Sequence, residues 1–177
     1  MKQTLMLSMF LLLMSCKKEE MYWAIGNNWK GTQQFGKCTA TLNGQVWEAS
    51  AFALVHDDST FYLSIGTYYI VDSLPTEDLP FLNVPFKLSK SSVYPNGTNG
   101  NNKSTVIGGY YLRYDDLVNA RYRVDTTETN FIRVEEIDKT GGLMRGSFEV
   151  VYKRDDKSNP NWPPYARFED GKFEVKI

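Results

Sequence analysis

Lys37-Cys38-Thr39-Ala40-Thr41-Leu42-Asn43-Gly44-Gln45-Val46-Trp47-Glu48 is the stretch whose reading decides the fold. Asn43-Gly44 supplies two consecutive residues that tolerate positive φ, the requirement of a two-residue hairpin turn, and the flanking runs have strand composition. Downstream, Ala51 to His56 and Thr60-Phe61-Tyr62-Leu63-Ser64-Ile65 flank a polar Asp57-Asp58-Ser59 turn, with Phe61, Leu63 and Ile65 on one face. Val106 to Tyr114, Arg121 to Val124, Asn130 to Ile137 and Leu143 to Tyr152 repeat the pattern, separated by turn signals such as Asp115-Asp116 and Gly141-Gly142. At the end, Ala166-Arg167-Phe168 and Phe173-Glu174-Val175-Lys176-Ile177 flank a predicted turn at Glu169-Asp170-Gly171-Lys172, with Phe173, Val175 and Ile177 on the dry face.

Alternation at period two dominates over periodicity near 3.6, the mark of half-buried strands. About ten short strands punctuated by turns predict an all-β domain, an antiparallel β-sandwich, with a lipocalin- or calycin-like β-barrel as the alternative. No segment after Cys16 makes an amphipathic helix; residues 72–80, with Leu74, Pro75 and Pro80, have room for one helical turn. Ser91 to Ser104 is too rich in Gly and Asn to pack and reads as a loop. Asp155 to Pro164 carries three prolines and reads as an irregular connection.

The N-terminus reads as an export signal. Met1-Lys2-Gln3-Thr4 is a small positive region, and Leu5 to Met14 are apolar except for Ser8. Ten residues fall short of the roughly 20 needed to span a bilayer, but fit the core of a secretory signal. The run ends at Leu13-Met14-Ser15-Cys16, which resembles the bacterial lipobox, with Met14 departing from the pattern. The expected organisation is a signal peptide over 1–15, a tether over 16–36 anchored by acyl chains such as palmitate on Cys16, and a single all-β domain over 37–177. Lys17-Lys18-Glu19-Glu20 suits a solvated tether at headgroup level and resembles the surface-export signal of Bacteroidota lipoproteins. The outer membrane is the expected location, with either its periplasmic or its cell-surface face open. An acylated Cys16 leaves Cys38 without a disulfide partner, so stability rests on a core. The net charge is −1 with no basic stripe, which argues against nucleic acid as a partner.

Ala40-Thr41-Leu42-Asn43-Gly44-Gln45-Val46-Trp47-Glu48-Ala49 resembles the opening of a family of Bacteroidota lipoproteins known only as a domain of unknown function. Met144-Arg145-Gly146-Ser147-Phe148-Glu149-Val150 resembles a late strand of that family, and Asp170-Gly171-Lys172-Phe173-Glu174-Val175 its close. The resemblance frames residues 38–177 and implies an all-β lipoprotein fold; it carries no catalytic or binding residues. The motif residues also have a structural explanation: Gly44 and Gly171 in positive-φ turns, and Trp47, Phe148 and Phe173 in the core.

Signals of catalysis are sparse. His56, the only histidine, precedes Asp57-Asp58, but neighbours on a strand point to opposite faces and do not converge easily on a metal or a proton. Cys38 reads as a small buried hydrophobe, and Glu135-Glu136 and Asp115-Asp116 as pairs on opposite strand faces or in turns. With no phosphate loop, HExxH or nucleophile elbow, the expectation is a protein without catalytic activity, cofactor or metal. Tyr68-Tyr69, Tyr110-Tyr111, Tyr114, Tyr122, Tyr152 and Tyr165, with Arg113, Arg121 and Arg123, have the chemistry of a recognition surface for a glycan, peptide or protein. Tyrosine also suits strands by propensity alone. The candidate ligand-binding residues are Trp162 and Tyr165 on the proline-rich loop, with Arg121 and Arg123. Two other readings stand beside it: a structural or assembly lipoprotein docking on an envelope complex, and a barrel carrying an apolar ligand, for which Gly26-Asn27-Asn28-Trp29 resembles the lipocalin Gly-x-Trp start with a spacing one residue longer.

Overall fold

The structure, a computed structural model, describes residues 36–55, 59–68, 75–96, 105–114, 117–155, 158 and 160–177. The predicted signal peptide, Cys16 and the tether up to residue 35 lie outside the described residues, as do His56, Asp57-Asp58, Tyr69 and Asp115-Asp116. Among the described residues the elements are ten strands: β1 (Gly36–Leu42), β2 (Gln45–Val55), β3 (Thr60–Tyr68), β4 (Pro75–Pro85), β5 (Ser89–Pro95), β6 (Val106–Tyr114), β7 (Leu117–Val124), β8 (Phe131–Asp138), β9 (Leu143–Arg154) and β10 (Tyr165–Lys176). The all-β reading therefore holds.

The strands form one continuous sheet, not the two stacked sheets of the expected sandwich. Its order is β10-β1-β2-β3-β4-β6-β5-β8-β9-β7, with further pairings of β10 to β9 and of β6 to β7. Following β1, β2, β3, β4, β6, β7, β9 and β10 returns to β1, so the ladder closes on itself in the manner of the barrel alternative. Closure follows from the lengths of the last two long strands. β9 spans 12 residues and pairs along one edge with β10, while its other edge is shared by β8 at Leu143–Glu149 and β7 at Tyr152–Arg154. A closed sheet has no long unpaired edge to template aggregation.

The first hairpin forms as its sequence predicts. Asn43 and Gly44 adopt φ of 50° and 81°. Asn43 also stitches the turn to β10: its backbone N–H donates to the Arg167 carbonyl at 3.0 Å, its Nδ2 donates to the Tyr165 carbonyl at 3.3 Å, and its Oδ1 accepts from the Arg167 N–H at 2.9 Å.

Three expectations change. The turn predicted at 169–172 is instead a bulge inside one unbroken strand. The β9–β10 register shifts between Phe168 and Gly171, and Asp170, not Gly171, takes the positive φ, at 52°. Gly171 is needed for a different reason: a Cβ there would come within 2.6 Å of the Phe148 ring, which packs on the bare backbone. The helical turn allowed over 72–80 is absent from its described part, because residues from Pro75 onward belong to β4. Proline is tolerated there because the β4–β6 register runs through Glu77–Asp78 and Phe81–Leu82 but skips Leu79–Pro80, where proline has no N–H to give. Ser91 to Pro95, expected in a loop, completes β5, whose last three residues pair in parallel with β6.

Inward-facing residues from all ten strands meet in one core. Phe168 lies at its centre, with ring centroids 4.9 Å from Trp47, 5.2 Å from Tyr110, 6.0 Å from Tyr152 and 6.3 Å from Phe148. These are packing distances of a side-chain-filled interior, and each such pair contributes about 0.5–1.5 kcal/mol beyond its buried area.

Cys38 lies in the same core at 2% exposure, and burial pushes its thiol up to about 12. The thiolate is the nucleophile, so at pH 8 only about one molecule in ten thousand carries it. Iodoacetamide at pH 8 is expected to leave Cys38 unmodified in the folded protein and to alkylate it fully in 6 M guanidinium; rapid native labelling mapped to Cys38 by mass spectrometry would contradict this packing.

Candidate functional site

The chain places its most open chemistry where a strand changes partner. Along one edge of β6, Val106–Gly108 pair with β5 and Gly109–Tyr114 pair with β7. β5 and β7 diverge at that fork, and a cleft of about 360 Å³ opens there. Its floor is the Gly108-Gly109 backbone. A Cβ on Gly108 would come within 2.6 Å of Val93 Cγ1, and the Tyr111 ring lies over Gly109, 3.0 Å from where a Cβ would stand.

Strand alternation supplies the walls. Tyr110, Leu112 and Tyr122 face the core, which turns Tyr111, Arg121 and Arg123 outward. Register sets Arg121 beside Tyr111 and Arg123 beside Gly109, which the Tyr111 ring covers. Asn96, just after β5, and Asp155, just after β9, complete the rim. Arg123 pairs with Asp155 at 3.1 Å, with side-chain exposures of 71% and 18%. Only the arginine end of this pair is well exposed. With two arginines and one aspartate, the lining carries a net positive charge.

The far side of the fork is held by Asn130, a buried polar residue. Its Nδ2 donates to the carbonyls of Asp125 at 2.6 Å and Glu128 at 3.0 Å, its Oδ1 accepts from the Val151 N–H at 2.7 Å, and its carbonyl accepts from the Val93 N–H at 3.1 Å. One side chain thus joins the β7–β8 turn to β9, while its backbone reaches β5. The Tyr152 hydroxyl, behind Gly108, is buried with no hydrogen-bond partner among the described residues, and burial holds its pKa well above the usual phenol range.

Of the four ligand-binding residues expected from sequence, the structure brings Arg121 and Arg123 together in the cleft; Trp162 and Tyr165 do not line it. Trp162 sits on the adjoining loop and Tyr165 opens β10, at 38% and 45% exposure. Arg154 Nη1 donates to the Pro160 carbonyl at 2.8 Å and to the Trp162 carbonyl, and Tyr122 Oη donates to the Pro163 carbonyl at 2.9 Å. The proline-rich segment is therefore pinned to β7 and β9. Arg113, grouped with the other arginines in the sequence, pairs with Asp78 at 3.3 Å. Burial raises the Asp78 pKa, opposed by the Ser64 hydroxyl and the Arg113 charge. Tyr110, Tyr122 and Tyr152 belong to the core, as propensity alone explains.

Sequence reasoning missed Asn96, Asp155 and the glycine floor. Glycine in a strand interior is the signal that pointed to them, because it marks close backbone approach or a break in the side-chain cover. It also missed Glu77, an inward carboxylate whose Oε2 accepts from Trp47 Nε1 at 2.5 Å and Thr67 Oγ1 at 3.3 Å, and whose Oε1 accepts from Tyr110 Oη at 2.7 Å. This gives the Trp and Tyr donors a partner inside an apolar core and, after burial itself, helps to raise the Tyr110 pKa. Glu135 and Glu136, expected on opposite faces, are both exposed because a register shift follows Val134; they accept from Ser147 and Arg145 at 2.6 and 2.7 Å. No group of three or more His, Cys, Asp or Glu side chains among the described residues is arranged to hold a metal ion.

Asn130→Ala is expected to cost about 1–3 kcal/mol, by leaving the buried Val151 N–H without its acceptor. A denaturant midpoint equal to that of the parent chain would show that Asn130 does not hold the fork.

No family model, curated protein or solved structure matches the chain.

Proposed function

We propose that the protein is a non-catalytic binding module, carried at the outer membrane by acyl chains on Cys16, with the cleft at the β5–β7 fork as its recognition site. The observation that carries the reading is the cleft itself: about 360 Å³, lined by Gly108 and Gly109 and walled by Tyr111, Arg121 and Arg123. Its volume falls at the lower end of small-ligand sites, which run to roughly 300–1,000 Å³, and Tyr and Arg are frequent anchors of recognition. The apolar-carrier reading gains no support, since core rings occupy the interior at packing distance. The lipoprotein part rests on Leu13-Met14-Ser15-Cys16, the charged tether and the resemblance to the Bacteroidota lipoprotein family.

Two measurements test the two halves. Metabolic labelling with an alkyne palmitate analogue is expected in the parent chain and absent from Cys16→Ala; label that survives the substitution removes the lipid anchor. For the cleft, the full chain in detergent is screened on saccharide and peptide arrays. Binding is expected to be lost in Tyr111→Ala and Arg121→Gln and kept in Trp162→Ala. The opposite pattern moves recognition to the proline loop and favours docking on an envelope partner, and an array without any ligand overturns the binding-module reading.

A further inference from the structure

Resting on that reading, we infer that the cleft takes a carboxylated sugar, with Arg121 as the residue that reads the carboxylate. The two cations are not equivalent. Arg123 is already paired with Asp155 at 3.1 Å, whereas the exposed Arg121 guanidinium makes no ion pair among the described residues. Its planar fork matches a carboxylate in bidentate geometry. Asn96 offers both a donor and an acceptor, and the Asp155 carboxylate an acceptor, a set suited to sugar hydroxyls. Tyr111, half-buried beside Arg121 in register, supplies an aromatic side chain against which the C–H face of a sugar ring packs.

A peptide fits less well. Extended peptides gain affinity by adding to a free strand edge, but at the fork both edges of β6 are taken, by β4 on one side and by β5 and β7 on the other. The volume also limits the occupant to a short saccharide end.

Calorimetry on the full chain in detergent tests this with disaccharides ending in glucuronic or galacturonic acid, their methyl esters and their neutral hexose counterparts. At least tenfold tighter binding of one acid over its ester is expected, weakened by salt, erased in Arg121→Gln and retained in Trp162→Ala, with circular dichroism showing that each variant is folded. Equal affinity for acid and ester overturns the carboxylate inference and leaves the binding module standing. An acid preference that survives Arg121→Gln overturns the role of Arg121. Binding of peptides with no binding of any sugar overturns the ligand class.

Discussion

Phe168 is the contact on which the fold depends. Its ring touches side chains from β2, β6 and β9, three strands far apart in the chain, and so ties the N-terminal hairpin to the strands that close the sheet. The bulge that follows at Glu169–Asp170 lets β10 bend while Phe168 and Phe173 both still face inward. Without it the alternation would slip by one residue and drive one of the two rings into solvent. Gly171 then leaves the space that Phe148 fills.

Closure has a cost at one place. β6 is served on one edge by two strands in turn, and a ladder that changes partner leaves a gap where the two diverge. Asn130 closes the deeper side of that gap with hydrogen bonds, and on the surface side lies the cleft lined by Tyr111, Arg121 and Arg123. The same discontinuity that the core tolerates is what brings the two arginines and Tyr111 to one cleft. Site and fold defect coincide.

Polar groups are distributed accordingly. On the outer surface of β8, β9, β10 and β1, Arg145 bridges Glu136 and Glu174 at 2.7 Å each, and Lys37 approaches Glu174 at 3.7 Å. The Arg145 guanidinium holds the Glu174 carboxyl below the usual range. These charges satisfy one another on an exposed face. At the cleft the balance differs, since Asp155 answers Arg123 while the exposed Arg121 has no ion pair among the described residues. An unmatched cation on a concave surface has more to gain from an incoming anion than a paired one.

The sequence by itself determined the all-β class, the Asn43-Gly44 hairpin and several of the core residues, because alternation and turn chemistry are local and act within a few residues. Trp47, Phe148 and Phe173 are buried as their pattern requires. β4 escaped notice because its prolines imitate a loop, and they are accommodated only where a neighbouring ladder skips a step. The turn at 169–172 was read from composition that a bulge shares, and only pairing with both β1 and β9 distinguishes the two. Arg121 and Arg123 were legible as exposed cations, but their partners Asn96, Gly109 and Asp155 come from three other segments. That gathering, like the closing of one sheet in place of two stacked ones, is decided by strand order, a long-range choice that no local pattern encodes.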